Sequence, residues 1–341
     1  MTTHPSRPNE RKPDERKPDE RRPDDGPHDY RPVELDEALE SDLRQLVRLA
    51  ISEDLDTAVD WTTVALIEPD RRGSCRVVSR SPGVAAGVSL ARWIVDEFDA
   101  DLRLHEVVKD GDTIRPGQTL VNLYGSARDL LTSERVILNI LSRLCGVATL
   151  TRRYAEAMGN GRSRLYDTRK TTPGWRRLEK YAVRCGGGHN HRTGLFDGFL
   201  IKDNHLALGK SVAPGASGLE TLTAGEATRR AAAMRGANWN HLVAPAMVEV
   251  EVDDLDQFRE VLPAGPDIVL LDNFSPKNLK AAVAIRDEVA PQVELEASGN
   301  VTIQTIATVA ATGVDRISCG SLTHQAVWLD LGMDWVDEDA S

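Results

Sequence analysis

Residues 248–321 read VEVEVDDLDQFREVLPAGPDIVLLDNFSPKNLKAAVAIRDEVAPQVELEASGNVTIQTIATVAATGVDRISCGS, and this stretch decides the fold. It contains four short β-like runs, each ending in polar or small residues, with helical patterns between the later ones. The closing residues Glu251, Asp272, Ser298 and Gly320 follow one another at intervals of 21 to 26 residues. That interval is the length of one strand–helix unit. We therefore predict consecutive βα units with chemically active groups at the strand ends, as in an α/β barrel.

Similar runs at 165–170 and 199–204 extend this series toward the N-terminus. A doubly wound sheet is the competing architecture. However, no Gly-x-Gly-x-x-Gly sequence follows an early strand, which weakens a dinucleotide-binding interpretation. Short β-like runs and helical patterns also mix before residue 127, as is typical of an α+β domain. A long helical pattern over 127–158 joins the two parts, and Gly146 could interrupt it.

The composition excludes several classes of protein. The chain has 341 residues, 40% of them hydrophobic, and a formal net charge of -11. This argues against a cationic surface for nucleic acid or an anionic membrane. The four cysteines are widely spaced, which argues against a zinc ribbon and a disulfide-rich scaffold. No apolar stretch approaches the ~20 residues that span a bilayer, and the N-terminus has no secretory signal. We expect a cytoplasmic protein that binds neither nucleic acid nor membrane.

Residues 1–33 differ in composition from the rest of the chain. They contain a degenerate five-residue repeat (RKPDE, RKPDE, RRPDD), seven of the 17 prolines, and equal numbers of basic and acidic residues. Nothing apolar recurs there to offset the entropy cost of ordering. We expect a disordered, solubilising tail, with a docking role as the alternative.

The segment 162–192 is strongly basic within an otherwise acidic body. It carries nine Lys or Arg residues and two acidic residues. A solvated helix face would explain some of these cations, but not those set among Thr, Gly and Pro. The segment therefore predicts a pocket for a small molecule with several negative charges.

Four residues of this segment are candidate anion-binding groups. Arg169 and Lys170 stand at a strand end before Thr171, and adjacent cations among hydroxyl groups suit phosphate or carboxylate. His191 and Arg192 follow three glycines, which let a backbone approach a ligand closely. His191 with His189 could also bind zinc, but no cysteine or third histidine stands at a suitable spacing.

Lys202 ends the apolar run Leu200-Ile201 and allows three interpretations. A lysine at a barrel strand end can form a Schiff base, as in an aldolase. It can stay protonated and bind an anion, which the cationic surroundings favour. A structural pair with a neighbouring aspartate is the third interpretation.

Acidic residues end two of the predicted strands. Glu249 and Glu251 alternate with valines and therefore point to the same side of their strand. Asp272 follows a fully apolar run. Carboxylates beside so many cations can hold Mg²⁺, accept hydrogen bonds from sugar hydroxyls, or stabilise a developing carbocation.

Small residues end the last two strands, at Ser298-Gly299-Asn300 and Gly320-Ser321. They can expose backbone N–H groups that cradle a phosphate. A phosphate site on the last two strands is a recurrent arrangement in barrels. Together, the residues predict a site for an acidic small molecule and a sugar phosphate.

The string over 167–205, DTRKTTPGWRRLEKYAVRCGGGHNHRTGLFDGFLIKDNH, strongly resembles the quinolinate phosphoribosyltransferase family. The resemblance runs from about residue 35 to the C-terminus, with further matches at SER (133–135), VEVEV, LLDN, EASGN and SCGSLTH. It implies a type II phosphoribosyltransferase fold, in which an N-terminal α/β sandwich precedes an incomplete, TIM-like α/β barrel. We assign 1–33 to the tail, 34–145 to the sandwich, completed by 322–341, and 146–321 to the barrel.

The resemblance also implies a reaction. Quinolinate and phosphoribosyl pyrophosphate would react with Mg²⁺ to give nicotinate mononucleotide, pyrophosphate and CO₂, a step of NAD synthesis. A homodimer, or a higher oligomer built from it, would share residues between its active sites.

Residue roles follow from the same resemblance. Arg135 would reach into the partner's site. The binders of quinolinate would be Arg135, Arg169, His191, Arg192 and Lys202. Lys170, Glu251 and Asp272 would be catalytic, and the two acids would also bind Mg²⁺, directly or indirectly. Phosphoribosyl pyrophosphate would bind to Lys170, Glu251, Asp272, Ser298, Gly299, Asn300, Gly320 and Ser321.

Two features depart from the family pattern, namely the tail and a longer segment over 208–246, which we expect to be a surface insertion near the site rim.

Two alternative functions stay open beside the aldolase. One is a paralogue of the same fold that acts on another acidic ring. The other is a catalytically silent protein that binds phosphoribosyl pyrophosphate.

Overall fold

The computed structural model describes residues 29–211, 220–238 and 247–336. The N-terminal part mixes helices and strands. Its elements are α1 (Glu37–Leu55), α2 (Trp61–Leu66), β1 (Arg72–Ser79), β2 (Gly83–Val84), α3 (Ala91–Glu97), β3 (Leu102–Glu106), β4 (Thr113–Ile114), β5 (Thr119–Ser126) and α4 (Ala127–Met158).

The rest of the described chain alternates strands and helices, as the spacing predicted. Its elements are β6 (Arg164–Tyr166), α5 (Arg176–Cys185), β7 (Gly198–Ile201), α6 (Asp203–Leu208), β8 (Lys210–Ser211), β9 (Glu220–Thr221), α7 (Ala224–Asn238), β10 (Met247–Val252), α8 (Leu255–Val261), β11 (Ile268–Asp272), α9 (Pro276–Val289), β12 (Glu294–Ser298), α10 (Ile306–Ala310), β13 (Arg316–Ser318), α11 (Ser321–His324) and β14 (Leu331–Trp335).

Six of these strands form one parallel sheet in the order β6–β13–β12–β11–β10–β7. From β7 to β13, strands that follow in sequence lie side by side, and the last of them returns beside β6. A doubly wound sheet would instead reverse its strand order at a switch point. Within the described residues β6 and β7 are not paired, so the barrel is incomplete, as predicted. Its central strands are largely buried, β10 and β12 carry buried glutamates, and polar groups stand at the C-terminal ends.

A second sheet is antiparallel, with the order β14–β1–β5–β3. The C-terminal strand β14 pairs with β1, so the end of the chain returns to the N-terminal part. This sheet and α4 share a continuous hydrophobic core with the barrel.

The 32-residue helix α4 runs without a break through Gly146, where the sequence allowed an interruption. Gly146 is needed instead for close packing. A Cβ atom there would lie 2.2 Å from the carbonyl oxygen of Val327, in the segment that leads to β14. A glycine inside a helix thus marks a backbone contact rather than a helix end.

Replacing Gly146 by alanine is expected to lower the free energy of unfolding by about 1–3 kcal/mol, because the methyl group forces two backbone segments apart. Thermal and denaturant unfolding would measure the change. Gly161→Ala is the matched control, since its Cβ atom would approach nothing closer than 4.0 Å. Equal stability of the two variants would show that the contact with Val327 is not tight.

Two predicted features fall only partly on the described residues. Residues 1–28 lie outside them, but residues 29–33, which we assigned to the tail, pack against the barrel. Tyr30 and Val33 are buried there. Of the segment 208–246, the structure describes β8, β9 and α7, whereas 212–219 and 239–246 lie outside. Among the described helices, none is both long and apolar enough to cross a membrane.

Candidate active site

A cavity of about 590 Å³ opens at the C-terminal ends of the parallel strands. Sixteen residues from these strand ends and the following loops form its walls. They are Thr168, Arg169, Lys170, His191, Arg192, Leu200, Lys202, Glu251, Leu270, Asp272, Asn273, Glu296, Ser298, Gly299, Asn300 and Ser318. This is the edge where α/β barrels carry their active sites.

Most of the predicted site residues meet in this cavity. Ten of them lie in its walls, namely Arg169, Lys170, His191, Arg192, Lys202, Glu251, Asp272, Ser298, Gly299 and Asn300. Three predicted residues do not. Arg135 lies on α4 with 66% of its side chain exposed, and its nearest acidic neighbour is Glu134 at 4.0 Å. A Cβ atom on Gly320 would lie 2.8 Å from Lys170 Cδ, and the Ser321 hydroxyl donates to Tyr154 Oη at 3.0 Å.

The cationic wall is held in place by a buried acid. Asp167 lies directly after β6 and is fully buried against Lys180 of α5. Its Oδ1 atom also accepts the backbone N–H of His191 at 2.9 Å, and its Oδ2 atom accepts from Asn190 at 2.7 Å. These bonds hold the loop after α5 against the strand end. The basic loop and the glycine-rich loop therefore reach the cavity together.

Two arginines in this wall are poorly matched by protein partners. Arg169 Nε is buried, and no group among the described residues accepts a hydrogen bond from it. Arg192 is buried, and among the described residues its guanidinium group donates only to the carbonyl oxygen of Gly198, at 3.3 Å. Burial lowers the pKa of Arg192 from its ordinary value. Guanidinium groups this poorly satisfied suit a carboxylate or phosphate ligand.

Lys202 and Glu251, two predicted site residues from adjacent strands, form an ion pair. Lys202 also begins α6, and its backbone N–H donates to His205 Nδ1 at 2.9 Å. Burial raises the pKa of Glu251 although Lys202 favours its ionised form. The third interpretation of Lys202 was a structural ion pair with a neighbouring aspartate. In the structure Lys202 forms its ion pair with Glu251 instead, and both residues line the cavity.

The opposite wall combines an acid with a glycine-centred loop. Asp272 Oδ2 accepts a hydrogen bond from Asn273 Nδ2 at 2.7 Å, and Asn273 Oδ1 accepts one from Asn300 Nδ2 at 3.0 Å. Asn273, Gly299 and Asn300 all have positive φ. A Cβ atom on Gly299 would lie 2.2 Å from Asn273 Oδ1. Consecutive residues in such conformations turn backbone N–H groups into an anion-binding concavity.

A buried acidic cluster lies under the cavity. Glu249 and Glu296 have no exposed surface, and both approach His191, at 3.0 and 3.6 Å. Burial and the neighbouring Glu249 raise the pKa of Glu296 to about 7. For Glu249, burial favours the neutral form, but His191, Arg316 and Tyr30 together outweigh it and lower the pKa.

These three residues are of metal-ligand types, and they offer ligand atoms within 4.8 Å of one another. They do not fit a metal ion in this arrangement. His191 Nδ1 accepts the backbone N–H of Arg192 at 2.8 Å, so Nε2 carries the proton that it donates to Glu249. A protonated nitrogen has no lone pair for a cation. Arg316 adds a positive charge 3.9 Å from Glu296.

Six cavity residues were not among the residues predicted from the sequence. Two of them had a usable signal. Glu296 is two positions before Ser298 and therefore lies on the same side of β12. Asn273 directly follows Asp272. No comparable signal marked the other four, because their residue types are common in strands and loops that have no functional role. These are Thr168, Leu200, Leu270 and Ser318.

Comparisons with known proteins agree with this geometry. The family models described as quinolinate phosphoribosyl transferase, N-terminal and C-terminal domain, match residues 60–145 and 147–334. The chain is 42% identical over 294 residues to nicotinate-nucleotide pyrophosphorylase (carboxylating) of Mycobacterium leprae (strain TN), covering 85% of this chain and 96% of that protein. It is 36% identical to the probable enzyme of that name from Bacillus subtilis (strain 168), covering 86% and 93%. The structure of nicotinate-nucleotide pyrophosphorylase from Francisella tularensis superposes with a TM-score of 0.78 at 32% identity, covering 91% of this chain and 100% of that one.

Proposed function

This chain belongs to the quinolinate phosphoribosyltransferase family, and from that membership we infer the reaction of its cavity. It transfers the phosphoribosyl group of phosphoribosyl pyrophosphate to quinolinate with loss of CO₂, in NAD biosynthesis. The products are nicotinate mononucleotide, pyrophosphate and CO₂. The type II phosphoribosyltransferase fold accounts for the incomplete barrel and the sandwich-like N-terminal part.

One observation carries the site assignment: a single cavity brings together arginines, acids and a phosphate-binding type of loop. Quinolinate has two adjacent carboxylates, which suit Arg169 and Arg192. Phosphoribosyl pyrophosphate has hydroxyl groups, which suit Glu251 and Asp272. Its 5′-phosphate suits the backbone of Ser298–Asn300. Lys202 pairs with Glu251 and links the two walls.

The chemistry follows from this division of charge. As the bond from ribose C1 to pyrophosphate breaks, positive charge develops on the ribose, and Glu251 and Asp272 stabilise it. The quinolinate ring nitrogen then forms a bond to C1. The resulting pyridinium accepts the electrons of the breaking C2–carboxylate bond, so CO₂ leaves, and C2 takes a proton from solvent. Lys170, exposed at the rim, faces the departing pyrophosphate.

Glu251 and Asp272 also fit Mg²⁺. They are hard oxygen donors at the ends of adjacent strands, and Mg²⁺ is commonly held by one or two carboxylates together with substrate phosphates. The ion would neutralise charge on the leaving pyrophosphate. The ion pair with Lys202 occupies Glu251, so Asp272 is the better direct ligand.

Binding experiments test the two-carboxylate specificity. Isothermal titration should show that quinolinate and phthalate, which share adjacent carboxylates, bind with similar affinity. Nicotinate should bind about 10- to 100-fold more weakly, because it loses one charge-assisted contact. Equal affinities for nicotinate and quinolinate would favour a paralogue with another substrate.

We further propose a dimer that works in the cytoplasm. Arg135 supports the dimer, because it is exposed and absent from the cavity of its own subunit although its motif matches the family. A partner subunit would bring this cation to the quinolinate wall.

Mixing subunits tests the shared site. Arg135→Ala and Lys170→Ala homodimers should each be nearly inactive. Random reassociation of equal amounts gives about one half heterodimers, and each heterodimer holds one intact site of two. The mixture should therefore recover about a quarter of the wild-type activity. Refolding the variants together and measuring product formation provides the readout. Verified heterodimers without activity would mean that Arg135 acts within its own subunit.

A further inference from the structure

The segment Asp29–Val33 lies across the open side of the barrel. The barrel sheet ends at β6 and β7, which are not paired with each other among the described residues. Tyr166 of β6 donates its hydroxyl proton to Asp29 Oδ2 at 2.9 Å. On the other edge, a Cβ atom on Gly198 of β7 would lie 3.0 Å from the Tyr30 ring. The segment therefore contacts both edge strands.

Buried contacts anchor this segment. Arg316 of β13 donates from Nη2 to Asp29 Oδ1 at 3.0 Å. The backbone N–H of Val33 donates to Asn190 Oδ1 at 2.8 Å, and Arg184 donates to the carbonyl oxygen of Val33, also at 2.8 Å. Asn190 itself binds Asp167, which orders the cationic loop. The segment is thus attached to the frame of the cavity at both of its ends.

Tyr30 stands at the centre of the segment and reaches the acidic cluster. Only 5% of its surface is exposed. Its hydroxyl donates to Glu249 Oε2 at 2.9 Å, the oxygen that also accepts from His191 Nε2 at 3.0 Å. The Tyr30 and His191 rings pack with their centroids 4.6 Å apart. His191 in turn accepts the backbone N–H of Arg192.

We propose that Tyr30 is a positioning residue for the quinolinate wall of the cavity, acting through Glu249 on His191 and Arg192. The inference rests on the proposed function for the identity of the ligand. Tyr30 contacts no substrate, but its hydroxyl and ring restrict the Glu249 carboxylate and the His191 ring. Glu249 Oε1 has no hydrogen-bond partner among the described residues. Within them, the hydrogen bonds to the Glu249 carboxylate therefore come from Tyr30 and His191, both to Oε2. Without the hydroxyl, the carboxylate can rotate and release His191.

Steady-state kinetics of the full-length Tyr30→Phe variant test this role. Phenylalanine keeps the ring and its packing. We expect the KM for quinolinate to rise about 5- to 10-fold, less than the loss of a direct bond to a charged group. The kcat and the KM for phosphoribosyl pyrophosphate should stay within about twofold, since neither Glu251 nor Asp272 contacts Tyr30.

Tyr181→Phe is the matched control. It removes one buried hydrogen bond from a tyrosine to a carboxylate, between Tyr181 and Asp110 at 2.7 Å, away from the cavity. Its kinetic constants should match those of the wild type. An unchanged KM for quinolinate in Tyr30→Phe would overturn the proposal. So would parallel losses of kcat in both variants, which would indicate a general effect on folding.

A second measurement needs no substrate. Thermal unfolding of Tyr30→Phe, Glu249→Gln and the double variant forms a double-mutant cycle. Coupled residues should give a double variant whose Tm change differs from the sum of the single changes. Additive changes would overturn the proposed contact. If the wild-type protein shows no turnover, the proposed function is wrong, and the kinetic role of Tyr30 falls with it. The double-mutant cycle would still show whether Tyr30 and Glu249 are energetically coupled.

Discussion

Replacing Arg192 by alanine is expected to lower kcat/KM for quinolinate by about 10²- to 10³-fold, mainly through KM. Arg192 is buried in the cavity wall, and within the described part of the chain its guanidinium group makes one long hydrogen bond, to the carbonyl oxygen of Gly198. A substrate carboxylate there would be its principal partner. Removing one member of such a desolvated charge pair costs about 2–5 kcal/mol, since the other charge stays buried and unpaired.

The measurement is steady-state kinetics with quinolinate varied at saturating phosphoribosyl pyrophosphate. Arg177→Ala is the control, because Arg177 belongs to the same basic segment but pairs with Asp42 at 3.5 Å, outside the cavity. Its constants should stay close to those of the wild type. An unchanged quinolinate KM in Arg192→Ala would remove Arg192 from the substrate site.

Asp272→Asn should act on kcat instead, with a loss of about 10²- to 10³-fold. Asparagine keeps the size of the side chain and can still accept the bond from Asn273. It removes the charge that would stabilise the cationic ribose and hold Mg²⁺. The effect should therefore persist at saturating concentrations of both substrates.

A titration with Mg²⁺ separates the two roles of Asp272. We expect a higher half-saturating Mg²⁺ concentration in Asp272→Asn, and a kcat that stays low when Mg²⁺ saturates. Asp256→Asn, which changes an exposed acid of α8, should alter neither quantity. Full recovery of kcat at high Mg²⁺ would limit Asp272 to binding the metal.

The sequence predicted the barrel and most of its cavity, because strand ends carry a local signal. The intervals from Glu251 to Gly320 indicated repeating units, and parallel strands bring their C-terminal ends to one edge. Sequence spacing does not predict side-chain contacts that depend on which strands lie next to each other in the sheet. Lys202 and Glu251 are distant in sequence, and their ion pair follows from the pairing of β7 with β10.

Tyr30 shows a different limit of sequence reasoning. Its neighbours are proline and charged residues, so composition assigned it to a tail. A single buried aromatic residue changes composition very little. Its partners Glu249 and His191 are distant in the sequence. They lie next to Tyr30 because the segment Asp29–Val33 lies across the open side of the barrel. The interruption of the helix that Gly146 allowed was wrong for a similar reason. The glycine is required by the close approach of the segment around Val327, which is distant in the sequence.

The most direct test of the account is turnover by the purified protein. It would be incubated with quinolinate, phosphoribosyl pyrophosphate and Mg²⁺, with nicotinate as the parallel substrate, and nicotinate mononucleotide and CO₂ would be measured together. We expect equal amounts of both products from quinolinate and none from nicotinate. Product from nicotinate, or no product from quinolinate, would contradict it.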